Sequence, residues 1–211
     1  MPRHNSGPRG AHQQRPGGER TGRGGDSRLR IIGGRWRGRK LAFTPAEGLR
    51  PTTDRVRETL FNWLAPDIRD ARCLDLFCGS GALGLEALSR GARHCDFVDT
   101  NSGNLQRVVA HLETLEARSM GTCHGGPADR FLEQAAPGWD IVFIDPPFEQ
   151  GLAAPACRLL DQRKLLRPGA RIYLETGAGE ASPELPADWH LHREKRAGGV
   201  IYRLYFTPGD G

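Results

Sequence analysis

No stretch of this 211-residue sequence approaches the roughly 18 consecutive apolar residues that a membrane-spanning helix requires, so none is expected. Its first residues, Met1-Pro2-Arg3-His4-Asn5, lack the apolar segment of a secretory leader, and the expected location is the cytoplasm. Cysteine is sparse: Cys73, Cys78, Cys95, Cys123 and Cys157 form an odd set with no C-x-x-C spacing. That pattern argues against a disulfide framework and a zinc site, and no metal is expected. Cys73, Cys95 and Cys123 fall within predicted strands, where a thiol behaves as a small buried hydrophobe, and Cys78 reads as loop filler. No segment repeats. Acidic residues are scarce at one end only: residues 1–30 hold seven Arg against Glu19 and Asp26, a net +5, and residues 31–58 add +4. The rest of the chain therefore carries −4 of the overall +5. Such an asymmetry suits a polyanion grip attached to a neutral-to-acidic body.

Residues 1–28 are rich in Gly, Arg and Pro and bury too little to offset their ordering entropy, so they are expected to be disordered. They read either as a nonspecific RNA-binding arm or as a solubilising tail. Residues 29–66 form a second unit. Leu29–Gly34 and Lys40–Phe43 read as two short β segments around a basic turn. Arg35, Trp36, Arg37 and Arg39 on that turn suit phosphate contact and base stacking; the alternative is an ordinary charged hairpin with Trp36 packed on the body. Pro51-Thr52-Thr53-Asp54 starts a helix with Thr or Asp as its cap and Val56, Leu60, Trp63 and Leu64 on one face. Arg55, Arg57, Glu58 and Asn62 fall off that face, toward a cleft or toward solvent. Arg50, Arg55 and Arg57 join the hairpin residues as candidate RNA contacts.

From residue 67 to 207 the chain alternates strand and helix. Strands are predicted at 73–77, 94–98, 119–123, 140–144 and 170–175, and helices at about 81–90, 102–116, 127–135 and 153–163. That alternation makes a doubly wound parallel sheet. After Pro183 and Pro186 two strands follow, Trp189–Lys195 and Val200–Phe206, joined at Ala197-Gly198-Gly199. The organising stretch is Asp75-Leu76-Phe77-Cys78-Gly79-Ser80-Gly81-Ala82-Leu83-Gly84, a buried strand running through a glycine turn into a helix. Glycines there allow positive φ and close approach of a ligand, and a helix N-terminus offers unpaired N–H groups. G-x-G-x-x-G alone fits a dinucleotide site, with Asp99 at the distance of a ribose-binding acid. Asp75 inside the strand end and Asp145-Pro146-Pro147-Phe148 closing a later strand point instead to S-adenosylmethionine and an amine-methylating centre. Asp99 suits the ribose hydroxyls, Asp75 and the turn carbonyls suit the methionine ammonium, and Phe77, Gly79, Ser80 and Gly81 line the approach.

An exocyclic base amine is a poor nucleophile, because its lone pair is delocalised into the ring. It needs an acceptor holding it in line with the methyl donor more than it needs a strong base. Asp145 and the Pro146 carbonyl can accept from such an amine. Pro146 and Pro147 stiffen the loop, and Phe148 offers a flat face to an extruded base.

Arg30-Ile31-Ile32-Gly33-Gly34-x-Trp36-Arg37-Gly38-Arg39-Lys40-Leu41 and Leu49-Arg50-Pro51-Thr52-Thr53-Asp54-Arg55-Val56-Arg57-Glu58-Thr59-Leu60-Phe61-Asn62 closely resemble the RsmD-type 16S rRNA guanine-N2 methyltransferases of bacteria. The likeness continues through Asp75–Leu88, Asp145–Phe148 and His192-Arg193-Glu194-Lys195, and covers about residues 29–206. The resemblance implies a class I methyltransferase fold: a Rossmann-like sheet, mostly parallel, with a C-terminal antiparallel hairpin, preceded by the basic hairpin and helix. It also implies methyl transfer from S-adenosylmethionine to the N2 amine of one guanine in 16S rRNA, within the assembled 30S subunit; a monomer is expected. Asp75, Gly79, Gly81 and Asp99 carry over as cofactor residues, and Asp145 to Phe148 as the amine-holding motif. Where many class I enzymes place an acid for the adenine amine, this chain reads Gly126-Pro127-Ala128 with Asp129 displaced, so backbone groups are expected to serve there. Competing readings are an amine methyltransferase on DNA, another RNA or a free nucleobase, an NAD-dependent oxidoreductase, and a noncatalytic RNA-binding protein.

Overall fold

In the computed structural model, Met1 and residues 27–43 and 53–209 are described. Most of the expected disordered arm, Arg50 and the Pro51-Thr52 turn therefore lie outside the described residues. The first ordered element is an antiparallel pair, β1 (Ser27–Arg30) and β2 (Lys40–Phe43), with Leu29 opposite Leu41. Both leucines are buried while Arg28, Arg30 and Lys40 are exposed, the period-two alternation of a half-covered ribbon. The connecting turn contains a short 3-10 segment, Gly34–Trp36. Gly34, at φ +74°, is obligatory: a Cβ there would stand 1.9 Å from the Ser89 carbonyl oxygen.

Helix α1 (Asp54–Trp63) is capped by Thr53, whose hydroxyl accepts from the Val56 N–H. It buries Val56, Arg57, Leu60 and Phe61. Arg57 thus departs from the expected RNA-facing role. It is 2% exposed, and its guanidinium donates to the Arg30 carbonyl and pairs with Asp54 and with Glu86, itself fully buried. A long flexible stem allows a cation to reach inward to a buried carboxylate, which the apolar period of the helix does not reveal. Arg55, two residues earlier, is exposed.

The body alternates as expected: β3 (Arg72–Asp75), α2 (Ala82–Ser89), β4 (His94–Asp99), α3 (Ser102–Thr114), β5 (Gly121–Gly125), α4 (Ala128–Gln134), β6 (Trp139–Ile144), α5 (Ala153–Gln162), β7 (Leu166–Gly177), β8 (His190–Ala197) and β9 (Val200–Phe206). β5 begins two residues later than expected because Arg118–Met120 first makes a 3-10 turn. The sheet runs β5-β4-β3-β6-β7-β9-β8, with β9 antiparallel to both neighbours and the other contacts parallel. Successive strands build leftward from β3 and then rightward through β6, so the crevice at their carboxyl ends is the place where such sheets bind ligands. Both faces are covered. Leu29, Leu60, Phe61, Phe97, Phe143 and Tyr173 share one apolar cluster, while Leu76, Trp139, Val142, Ile144, Cys157 and Leu160 belong to the other. Residues of β1, β2 and α1 therefore pack into the same core as the sheet. No helix among the described residues is long and apolar enough to cross a membrane.

Candidate active site

β3 ends at Asp75, and the chain turns through Leu76 to Gly81 into α2. Gly79 and Gly81 hold φ of +50° and +76°, with Gly81 standing as the N-cap of α2. Only glycine takes such angles without strain. Gly84 serves packing instead: a Cβ there would meet the Phe97 ring at 2.2 Å and the Cys95 sulfur at 2.7 Å. Asp75 lies behind the turn, 2% exposed, and its Oδ2 accepts the Gly84 N–H at 2.9 Å. Burial, seconded by the charge of Asp99, pushes its carboxyl up to about 7, against the lowering effect of the Gly84 N–H.

The end of β4 carries Asp99, which is held on three sides. The Gly79 N–H donates to its Oδ2 at 2.8 Å, Asn104 Nδ2 to the same oxygen at 3.1 Å, and the Asn101 N–H to Oδ1 at 2.7 Å. Asn101 also caps α3 by accepting from the N–H groups of Gly103 and Asn104. A single carboxylate thereby ties the glycine turn to the start of the neighbouring helix.

Asp99, Phe77 and Gly79 line a cleft of about 630 Å³ together with Asp145 and Pro147 from the loop after β6. Two acids predicted from distant motifs, Asp99 and Asp145, thus share one cavity. Pro146, buried, and Phe148, 36% exposed, do not line this cleft; Pro146 lines the adjoining cavity instead. Asp75, Ser80 and Gly81 form the turn behind the wall rather than the wall itself. Gly126, Pro127 and Asp129 also line the cleft, so a carboxylate stands near the place where its absence was expected. The displacement is local: Pro127 is the N-cap of α4 and Asp129 lies in its first turn. Asn101 and Asn104, lining the same cleft, were missed by sequence reasoning, although their spacing after Asp99 was a usable capping signal. Among the described residues no three His, Cys, Asp or Glu side chains gather as metal ligands.

The basic turn lies elsewhere. Trp36 N–H donates to Ser89 Oγ at the C-terminal end of α2, and Arg39 Nη2 donates to the Thr114 carbonyl at the end of α3. Arg35 lies 4.1 Å over the Trp36 ring, and Trp36 packs in part on the core. Arg35, Arg37 and Arg39 are exposed. The cleft opens at the other end of α2, about 12 Å away for an eight-residue helix. These arginines and the cleft are therefore not brought together.

The geometry agrees with the likeness to known proteins. The family model described as conserved hypothetical protein 95 matches residues 29–206. Ribosomal RNA small subunit methyltransferase D of Escherichia coli K12 is 50% identical over 187 residues, covering 89% of this chain and 94% of the relative. The protein of the same name from Haemophilus influenzae is 46% identical over 182 residues, covering 84% of this chain and 93% of its own length. The solved structure of the yhhF protein of Escherichia coli is 48% identical and superposes with a TM-score of 0.80 over 87% of this chain and 100% of its own. By sequence and by fold, the chain belongs to the RsmD-type family of ribosomal RNA small subunit methyltransferases.

Proposed function

We propose that this chain transfers a methyl group from S-adenosylmethionine to the exocyclic N2 amine of one guanine in 16S rRNA, acting as a monomer on the assembled 30S subunit in the cytoplasm. Family membership carries the coarser activity, methylation of small-subunit ribosomal RNA with S-adenosylmethionine as donor. The observation that carries the finer reading is that Asp99 and Asp145 line one cleft beside a positive-φ glycine turn.

The residues present fit the cofactor. Gly79 and Gly81 leave the turn open to close approach, and Asp99, fixed by three donors, lines the cleft with about one acceptor site of its four left for a ribose hydroxyl. Asp129, on the α4 side, fits the adenine amine. Asp75 braces the turn through Gly84, on the side where a methionine ammonium would lie. When bound, S-adenosylmethionine supplies an electrophilic methyl on a sulfonium. The chain's own part is positional and electrostatic. Asp145 and the Pro146 carbonyl accept hydrogen bonds from the guanine amine, keeping its lone pair in line and favouring the positive charge that develops there. Phe148 offers its exposed face to the base. Residues 29–66 act as the RNA-contacting part, with Arg37 and Arg55 exposed for phosphates and residues 67–207 as the catalytic part.

Methyl-labelled S-adenosylmethionine incubated with 30S particles from cells lacking the protein, followed by nucleoside analysis, tests this. N2-methylguanosine in 16S rRNA is the expected product. Label confined to DNA, to a free nucleobase or to another amine would refute the assignment.

A further inference from the structure

Next to the cleft, a second cavity shares Pro147 and Leu152 with it and is lined by Pro146 and by a carboxylate that the mechanism has not used, Glu175. β6 and β7 run parallel with Ile144 opposite Leu174, so Asp145 and Glu175 follow next on adjacent strands. Glu175 is only 4% exposed, at the same carboxyl edge of the sheet that bears the cleft. Its Oε2 accepts the Tyr173 hydroxyl at 2.6 Å. Tyr173 lies on the same face, its hydroxyl pushed well above its ordinary range by burial and then by the charges of Glu175 and Asp145. Burial likewise pushes the Glu175 carboxyl up, while the Tyr173 hydrogen bond favours its ionised form. Across the sheet Glu175 pairs with Tyr202, whose ring stacks on Trp63 at 5.5 Å, and Tyr202 pairs with Lys195.

A carboxylate is costly to keep at such a position unless it is hydrogen-bonded, and Tyr173 engages one of its two oxygens. Guanine presents two kinds of donor side by side on its Watson–Crick edge: the N2 amine and the N1–H. Adenine presents an acceptor at N1. With Asp145 holding the amine, an acid one strand over, in the cavity that also takes in Pro146 and Pro147, is the acceptor next in line for N1. We infer that Glu175, oriented by the Tyr173 hydroxyl, accepts the guanine N1–H and is the residue that selects guanine over other amine-bearing bases. The inference rests on the proposed guanine-N2 activity and names a specificity-determining residue for it. An acid at N1 leaves a wrong base with two acceptors facing each other, and unmatched buried polar groups are the strongest source of discrimination a site has.

The test uses the full chain with reconstituted 30S particles carrying either guanine or 2-aminopurine at the methylated position. 2-Aminopurine keeps the 2-amine but has a lone pair at N1. The unaltered protein should prefer guanine in kcat/KM by on the order of a hundredfold. Glu175→Gln should lower that ratio at least about tenfold, because its amide can donate to N1, while the variant still binds S-adenosylmethionine in calorimetry. Tyr173→Phe should lower the ratio in the same direction by less, and it carries the test alone if Glu175→Gln fails to bind the cofactor. A purely structural Glu175 would reduce both rates and leave the ratio where it was. Guanine methylation with the ratio unchanged in the variants that bind cofactor overturns this inference alone. If the unaltered protein methylates neither particle, the underlying reading falls and this one with it.

Discussion

The Asp99 wall of the cleft is braced from within the chain. Its carboxylate is gripped by the Gly79 and Asn101 N–H groups and by Asn104, and the turn behind it is anchored by Asp75. The Asp145 wall ends differently. Beyond Pro147 come Phe148 and Leu152, 36% and 37% exposed, and Glu149 at φ +63°, its N–H donating to the Glu180 carboxylate. One wall is preorganised by local hydrogen bonds; the other presents apolar rim to solvent. On the proposed reading, the contrast predicts that substitutions on the Asp99 wall act on cofactor affinity and those on the Asp145 wall on the acceptor base. Substitutions on the two walls should therefore separate into effects on binding and effects on turnover.

The largest separation is expected at Asp145. Asp145→Ala should lower kcat by on the order of a hundredfold or more while leaving S-adenosylmethionine affinity nearly unchanged, because its interaction grows in the transition state. Single-turnover rates on 30S particles, alongside titration calorimetry, check both halves. Near-normal turnover would break the contrast. On the opposite wall, Asp99→Ala should weaken cofactor binding by about 1–3 kcal/mol, the scale of losing hydrogen bonds to a charged group. Unaltered affinity in calorimetry would mean that the ribose is held elsewhere.

Asp75 sharpens the comparison through pH. Its folded carboxyl lies near pH 7, above the 3.8 of an unperturbed aspartate, so the folded chain binds this proton more tightly than the unfolded one. The stability it contributes is complete below about pH 4 and is lost as pH rises toward 7. Asp75→Asn should therefore flatten the stability profile across that window, by about 3–4 kcal/mol between its ends. Denaturant midpoints at pH 4.5 and pH 7.5 (approximately the ends of that window) measure it; equal slopes for both proteins would place the proton on another group. The smallest effect is expected from salt. Cofactor affinity should hardly change with ionic strength, while Arg37→Ala should lower the salt slope of 30S binding by about one unit, as one phosphate contact is lost. An unchanged slope would remove Arg37 from the RNA interface.

Elements that depend on nearby sequence were legible: the strand–helix alternation, the glycine turn, the D-P-P-F loop and the closing hairpin all follow from local period and turn chemistry. Both acids of the cleft were legible too, because each sits at a strand end announced by its neighbours. What escaped were groups whose partners lie far along the chain. Arg57 reads as a surface cation until Glu86, 29 positions later, is seen beneath it. Glu86 itself sits in an apolar helix, where sequence gives no hint that its carboxylate receives the Ile32 and Gly33 N–H groups. Glu175 was hidden because a strand end beside Asp145 is a matter of sheet order, which periodicity does not supply.

That buried Glu86 has a consequence for modularity. From the helix whose other end meets the glycine turn, it takes two backbone N–H groups of the basic hairpin, the Arg57 guanidinium of α1 and the Arg90 guanidinium at its own helix end. The hairpin is consequently no detachable accessory. Cutting it away would leave the buried Glu86 carboxylate to its two arginines without the two N–H groups that now hold it, so hairpin and body stand or fall as one piece.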